Sequence, residues 1–121
     1  EKLMAKLILN MTLYTLAIRL MELGLDKDMG QLREEYEKDS SPDTSGSVSD
    51  FELARYFMDS LSYDGGINYR NAVDHCLRFL FTVSPERCFL DVRFRKDFFD
   101  KVVAPVQNVY DTIDEYQYQA T

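Results

Sequence analysis

The residues best suited to chemistry in this chain gather around its one histidine. His75 stands between Asp74 and Cys76, and Cys88 follows further on. Cysteine, histidine and aspartate are zinc ligands, and a cysteine beside a histidine can form a nucleophilic dyad. Either chemistry needs the groups to converge on one point. A structural metal site is usually anchored by a C-x-x-C or H-x-x-x-H pair, and this chain has neither. Neighbours on a helix diverge by about 100°, so on a helix His75 and Cys76 cannot face each other. A surface histidine beside a core cysteine accounts for the same residues, and the reading assigns no catalytic residue and no metal ligand here.

Three other patterns invite the same scrutiny. Asp26, Asp28, Gly30, Glu34 and Glu37 fall near the ligand positions of a calcium loop, but Gln31 stands where its sharp turn needs glycine. A capped acidic helix explains these residues equally well. Gly65-Gly66 belongs to neither G-x-x-x-x-G-K nor G-x-G-x-x-G, so no phosphate cradle and no cofactor follow from it. No G-x-S-x-G is present. The many Asp and Glu pairs at helical spacing lack a neighbouring apolar pocket that would split their pKa values, and they read as solvated faces.

The elements that would carry these residues all look helical. Leu3–Leu23 is apolar at helical spacing on nearly every side, the pattern of a helix enclosed in a core or a membrane. Lys6, Asn10, Arg19 and Glu22 interrupt it, which argues against a membrane span. Leu13, Leu16, Ala17 and Leu20 are expected among the most buried residues. Gly24 suits the left-handed position that ends such a helix. Asp26 or Asp28 can cap a second helix, Met29 to about Lys38, with Met29, Leu32, Arg33 and Tyr36 inward, and Asp28 with Gln31 matches a capping box. Residues 39–48, dominated by Ser, Asp, Pro and Gly and without hydrophobic periodicity, form a flexible loop. Ser49 and Glu52 make a second capping box, Val48 and Leu53 a staple, and Asp64-Gly65-Gly66 ends that third helix.

Asn68 can cap a fourth helix with Tyr69, Ala72, Val73, Cys76, Leu77, Leu80 and Phe81 on its apolar face, running to Ser84-Pro85. Asp91 caps the last, whose inward face is Phe94, Phe98, Val102, Val106, Tyr110 and Ile113. Pro105 lies in its interior and predicts a kink or break near Val102–Ala104. No stretch alternates with period two. The expected fold is all-α: a single domain over residues 1–121 with about five helices packed around a buried N-terminal central helix.

Charge narrows the partners. The net charge of −7 resides in the middle third: residues 1–25 carry +1, residues 26–64 carry −7 and residues 65–121 carry −1. Such a chain is repelled by phosphate backbones and anionic membrane surfaces, so no nucleic acid is expected as a partner. The acidic stretch is a solubilising face or a docking surface for a basic partner. Two cysteines are too few for a secreted disulfide framework and read as reduced thiols in a cytoplasmic protein. No signal peptide is visible, and a start at Glu1 inside a helix reads as a fragment of a longer protein.

Three stretches resemble a family. Asn10 to Arg33, NMTLYTLAIRLMELGLDKDMGQLR, is similar to an "N-x-x-L-x-x-L-x-I-x-L-x-E-L" helix followed by "D-K-x-x-x-x-L-R". Ile67 to Phe81, INYRNAVDHCLRFLF, resembles "Y-x-x-A-V-x-x-C-L-x-x-x-F", and Asp91 to Val106, DVRFRKDFFDKVVAPV, resembles "D-x-x-F-x-x-x-F-x-x-x-V-V-x-P-L". These patterns belong to an uncharacterised helical domain of filamentous-fungal proteins, often associated with heterokaryon-incompatibility and prion-inhibition-and-propagation modules. Ala17 replaces the family's usual glycine. That family in turn resembles the C-terminal lobe of a protein kinase, with the first helix as the buried central helix and Arg87 as the counterpart of an arginine that pairs with an upstream glutamate. The chain lacks the Gly-rich loop, the nucleotide-binding lysine and the catalytic and metal-binding aspartates. The resemblance implies a non-catalytic interaction or scaffold domain. Its alternatives are a fragment of a kinase-like or ligand-binding enzyme completed upstream, and a self-associating homo-oligomeric module.

Overall fold

The computed structural model describes residues 9–39, 48–86 and 88–111. Among the described residues six helices pack together and there is no strand. They are α1 (Met11–Leu25), α2 (Met29–Asp39), α3 (Asp50–Tyr56), α4 (Met58–Gly65), α5 (Ile67–Leu77) and α6 (Val92–Phe98). A 3-10 turn at Cys88–Leu90 precedes α6, a π-helical turn at Phe99–Val103 extends it, and residues 104–111 continue as helix. The all-α reading holds.

Local chemistry sets most boundaries. Asn10 is extended (φ −146°) and its Oδ1 accepts the Leu13 N–H at 3.0 Å, so α1 starts at Met11. This corrects the continuous helix expected from Leu3, of which residues 3–8 lie outside the described residues. Gly24 does not end α1 either. Asp26 takes the left-handed conformation (φ 55°), and the Lys27 N–H returns to the Glu22 carbonyl at 3.1 Å, closing a Schellman motif. The capping box at α2 forms both ways: Gln31 N–H to Asp28 Oδ1 at 2.8 Å, and Asp28 N–H to Gln31 Oε1 at 2.9 Å. Ser49 Oγ accepts the Glu52 N–H at 3.2 Å and opens α3. Residues 40–47 of the expected loop lie outside the described residues.

Two helices end earlier than periodicity suggests. The single helix expected from Ser49 to Asp64 is α3 and α4, divided at Phe57 (φ −89°, ψ 5°), whose ring is itself buried. Both halves feed the core, α3 through Phe51, Leu53 and Ala54 and α4 through Met58 and Leu61. Gly66, not Asn68, is the N-cap of α5, and its φ of 88° is a conformation that suits glycine. α5 stops at Leu77 rather than running to Ser84-Pro85. Phe79 is left-handed (φ 52°), and the Leu80 N–H reaches back to the His75 carbonyl at 3.0 Å, a second Schellman closure. That conformation costs an L-residue about 1–2 kcal/mol. Burial of the Phe79 ring among Phe81 and Phe94, with centroids 5.4 and 6.4 Å away, offsets it.

Pro105 has the consequence its position predicts, in a particular form. It has no N–H to donate, and the chain widens into a π-turn just before it, with the Ala104 N–H bonding the Phe99 carbonyl. Of the inward face expected for this last helix, Phe94 and Val102 are buried and Phe98 and Val106 half-buried, whereas Tyr110 is 64% exposed. Val109 packs against the core in its place. Seven residues make two turns and return to the Val102 side, and the eighth turns away. Ile113 lies outside the described residues.

α5 lies at the centre of the packing, against α1, α4 and the π-turn. It buries Tyr69, Ala72, Val73, Cys76 and Leu77. α1 is not enclosed all round. Leu13, Ala17, Ile18, Met21 and Leu25 face the core, while Leu16 and Leu20 are only half-buried and Met11 and Leu23 are exposed. No helix among the described residues is long and apolar enough to cross a membrane.

Candidate functional site

The helix that carries Asp74, His75 and Cys76 sends the three side chains to separate places. Asp74 is buried, and both its oxygens are taken by Arg78 one turn on: Nε donates to Oδ1 at 2.7 Å and Nη2 to Oδ2 at 2.5 Å. This pairing raises the Arg78 pKa above its usual value, with its hydrogen bond to Asp74 as the main cause. His75 Nδ1 lies 2.7 Å from the Asn71 carbonyl, which fixes that nitrogen as the donor. Its ring leans on Phe81 at 5.9 Å. Cys76 points into the core, and burial pushes its thiol up to about 12. A thiol so raised is a small hydrophobe, not a nucleophile.

Cys88 is also buried, and desolvation raises its pKa against the lowering effect of backbone hydrogen bonds at Phe89 and Cys88 itself. Its Sγ accepts from Asn10 Nδ2 at 3.5 Å, and the same amide donates to the Pro85 carbonyl at 2.8 Å. Asn10 thus joins the start of α1 to the turn before α6. Nothing in the sequence reading marked Asn10 for this. An Asn three residues before a buried Leu was the available signal, since that is the spacing of an N-cap. Both cysteines are unpaired.

The calcium-like residues are not arranged as a loop. Asp26 closes α1 and Asp28 caps α2, while Gly30, Glu34 and Glu37 lie within α2, with both glutamates in solvent. Lys27 pairs with Glu35 across the turn. Among the described residues no three His, Cys, Asp or Glu side chains come close enough to hold a metal. Gly65 is helical, and a β-carbon on it would sit 3.0 Å from Tyr69 Cδ1. Gly66 opens on solvent at an open groove formed with Pro105, Asn108 and Val109. Arg87 lies outside the described residues.

Other polar side chains tie the helices together. Tyr69 Oη donates to the Leu20 carbonyl, tying α5 to α1, and burial raises its pKa. Arg33 donates from Nη1 to the Val48 carbonyl and from Nη2 to Asp50 Oδ1 at 2.7 Å, joining α2 to the start of α3. The described surface also carries large apolar side chains. Leu90, Val92 and Phe99 are 78, 73 and 57% exposed around α6, and Met11 and Leu23 stand out on α1.

No family model matches the chain, and no curated protein or solved structure matches it either. The resemblance to a fungal helical domain and to a kinase lobe rests on the quoted motifs alone.

Proposed function

We propose that this chain is a non-catalytic helical module for protein–protein interaction or scaffolding, working in the cytoplasm as part of a fungal incompatibility- or immunity-like protein. The observation that supports it is the set of large apolar side chains left in solvent around α6, while Asp74, His75 and Cys76, the residues best suited to chemistry, are engaged in the fold. Apolar side chains grouped on a surface mark sites of association. The family resemblance supplies the fungal context, and the buried, unpaired thiols agree with a reducing compartment.

Nucleotide binding tests the reading. Titration with ATP and a divalent cation is expected to leave the thermal midpoint unchanged. A rise of several degrees that a chelator abolishes would overturn it in favour of a fragment of a kinase-like enzyme. An isolated chain that turns over a small molecule, and recovers no protein on immunoprecipitation, would overturn it as well.

A further inference from the structure

The described chain begins beside an exposed apolar turn. Asn10 donates from Nδ2 to the Pro85 carbonyl at 2.8 Å and to Cys88 Sγ at 3.5 Å, which sets the start of α1 against the 3-10 turn Cys88–Leu90. Around that tie the large apolar side chains turn outward. Leu9 and Met11 flank Asn10 and are exposed, and so are Phe89, Leu90 and Val92, which follow Cys88.

Residues 1–8, EKLMAKLI, lead into this place and lie outside the described residues. At helical spacing Leu3, Met4, Leu7 and Ile8 share one side, with Lys2 and Lys6 on the other. Asn10 is extended, at φ −146° and ψ 114°, so α1 does not run back through them. Their four large apolar side chains need cover of their own. Eight residues reach about 12 Å as a helix and about 26 Å extended, and Leu90 is two residues from the hydrogen-bonded Cys88. The other segments outside the described residues fit the patch less well. Residues 40–47 carry no large apolar side chain, and they connect α2 to α3, where Arg33 holds Val48 and Asp50. Residues 112–121 follow Asp111, at the far end of the helical run that starts at Val92.

We infer that residues 1–8 fold back from Asn10 over Phe89, Leu90 and Val92, with Leu3, Met4, Leu7 and Ile8 against them and Lys2 and Lys6 in solvent. The tether at Asn10 keeps the segment at high local concentration, so a weak contact is enough to hold it. Phe99 lies further along the helix, outside this cover. A partner that spreads from Phe99 onto Leu90 has to displace the segment, a regulation that rests on the interaction reading above.

Photo-cross-linking in the full chain tests it. Benzoylphenylalanine in place of Leu7 should attach to the peptide that holds residues 89–92. In a mixture of unlabelled and isotope-labelled chains, both ends of each cross-link should carry the same label. A fluorescent dye that binds exposed apolar surface gives a second measurement. Leu3→Glu with Leu7→Glu should raise its signal several-fold while circular dichroism shows the helices intact, and Leu90→Glu added to L3E/L7E should remove the rise. Cross-links to any other part of the chain, or none, overturn the inference. Cross-links of mixed label overturn it in favour of a second copy on this face. A dye signal that does not rise overturns it, and so does a rise that Leu90→Glu leaves in place. A chain that gives no such cross-link and pellets with phosphatidylserine vesicles overturns it in favour of a membrane surface. The interaction reading fails separately, on stabilisation by nucleotide, which the position of residues 1–8 does not affect.

Discussion

A β-carbon on Gly24 would stand 2.5 Å from Leu61 Cδ1 and 2.7 Å from Tyr69 Cε1. Alanine in place of a helical glycine normally stabilises by about 1 kcal/mol. Here Leu61 is fully buried and the Tyr69 ring is held by its bond to the Leu20 carbonyl, so neither has room to move. Gly24→Ala is expected to destabilise by about 1–3 kcal/mol through overpacking, read by urea unfolding; a gain in stability would show that the contact yields. The sequence marked this glycine but for the wrong reason. It looked like a left-handed terminus, and its actual role depends on α4 and α5 side chains far away in the chain. Among the described residues other than glycine, the left-handed ones are Asp26 and Phe79, and only the former is of a type that favours that conformation. Titration separates two other buried groups from solvated ones. Burial raises the pKa of Cys76 to about 12 and raises that of Tyr69. A raised folded-state pKa gives stability that is complete below the unfolded value and is lost as pH climbs toward the folded one. Stability should therefore fall from about pH 9 upward, with a slope of at most about 1.4 kcal/mol per pH unit from the thiol. Cys76→Ala should flatten that slope whatever its effect at neutral pH. An unchanged alkaline slope in C76A, followed by urea midpoints at successive pH values, would mean the thiol is not the group responsible.

Among the elements, the legible boundaries are those with a chemical marker. Asp28 with Gln31, Ser49 and Asp91 all cap where their spacing indicated, and Pro105 disturbs the last helix where a missing N–H must. Gly24 and Asn68 carry markers too, yet the first helix closes at Asp26 and α5 is capped at Gly66; the breaks at Phe57 and Leu77 carry none. Phe57 and Leu77 are apolar residues in apolar patterns, and the chain turns there because buried packing of Phe57 and Phe79 outweighs helical continuity. That Asp74, His75 and Cys76 point to separate places was readable from helix geometry, whereas the large apolar side chains left exposed around α6 were not. A period of three and four residues does not say which of two apolar faces meets the core. Asn10 lies between these cases. It caps α1 through Oδ1 and fastens the Pro85–Cys88 turn through Nδ2. Asn10→Ala removes a cap, worth about 1 kcal/mol, and leaves the Pro85 carbonyl without this donor, for about 1 kcal/mol more. The measurable signature is a lower unfolding midpoint that Asn10→Asp only partly restores, since a carboxylate can cap but cannot donate to Pro85. Full recovery in N10D would assign the whole effect to the cap.

Across the whole molecule, stability should be graded outward from α5. That helix touches α1, α4 and the π-turn, whereas α2 packs chiefly on α3 and places only Leu32 fully in the core. Segments with few buried contacts open at lower cost than the global unfolding free energy. The amides of Met29–Asp39 should therefore exchange with solvent well before those of Ile67–Leu77. Arg33 is the main polar fastening of α2, joining it to Val48 and Asp50 at the start of α3. Its ion pair with Asp50 is partly exposed, at 32 and 53% of the two side chains, so screening by water limits its worth to about 1 kcal/mol or less. A difference of that size is about a factor of five in an opening equilibrium. Arg33→Ala should thus speed exchange across Met29–Asp39 by up to about fivefold and leave Ile67–Leu77 unchanged, because α2 can open while the packing around α5 stays closed. Hydrogen exchange followed by mass spectrometry distinguishes the alternatives. Equal acceleration in both helices would mean that α2 and α5 unfold as one cooperative unit and that the packing is not graded.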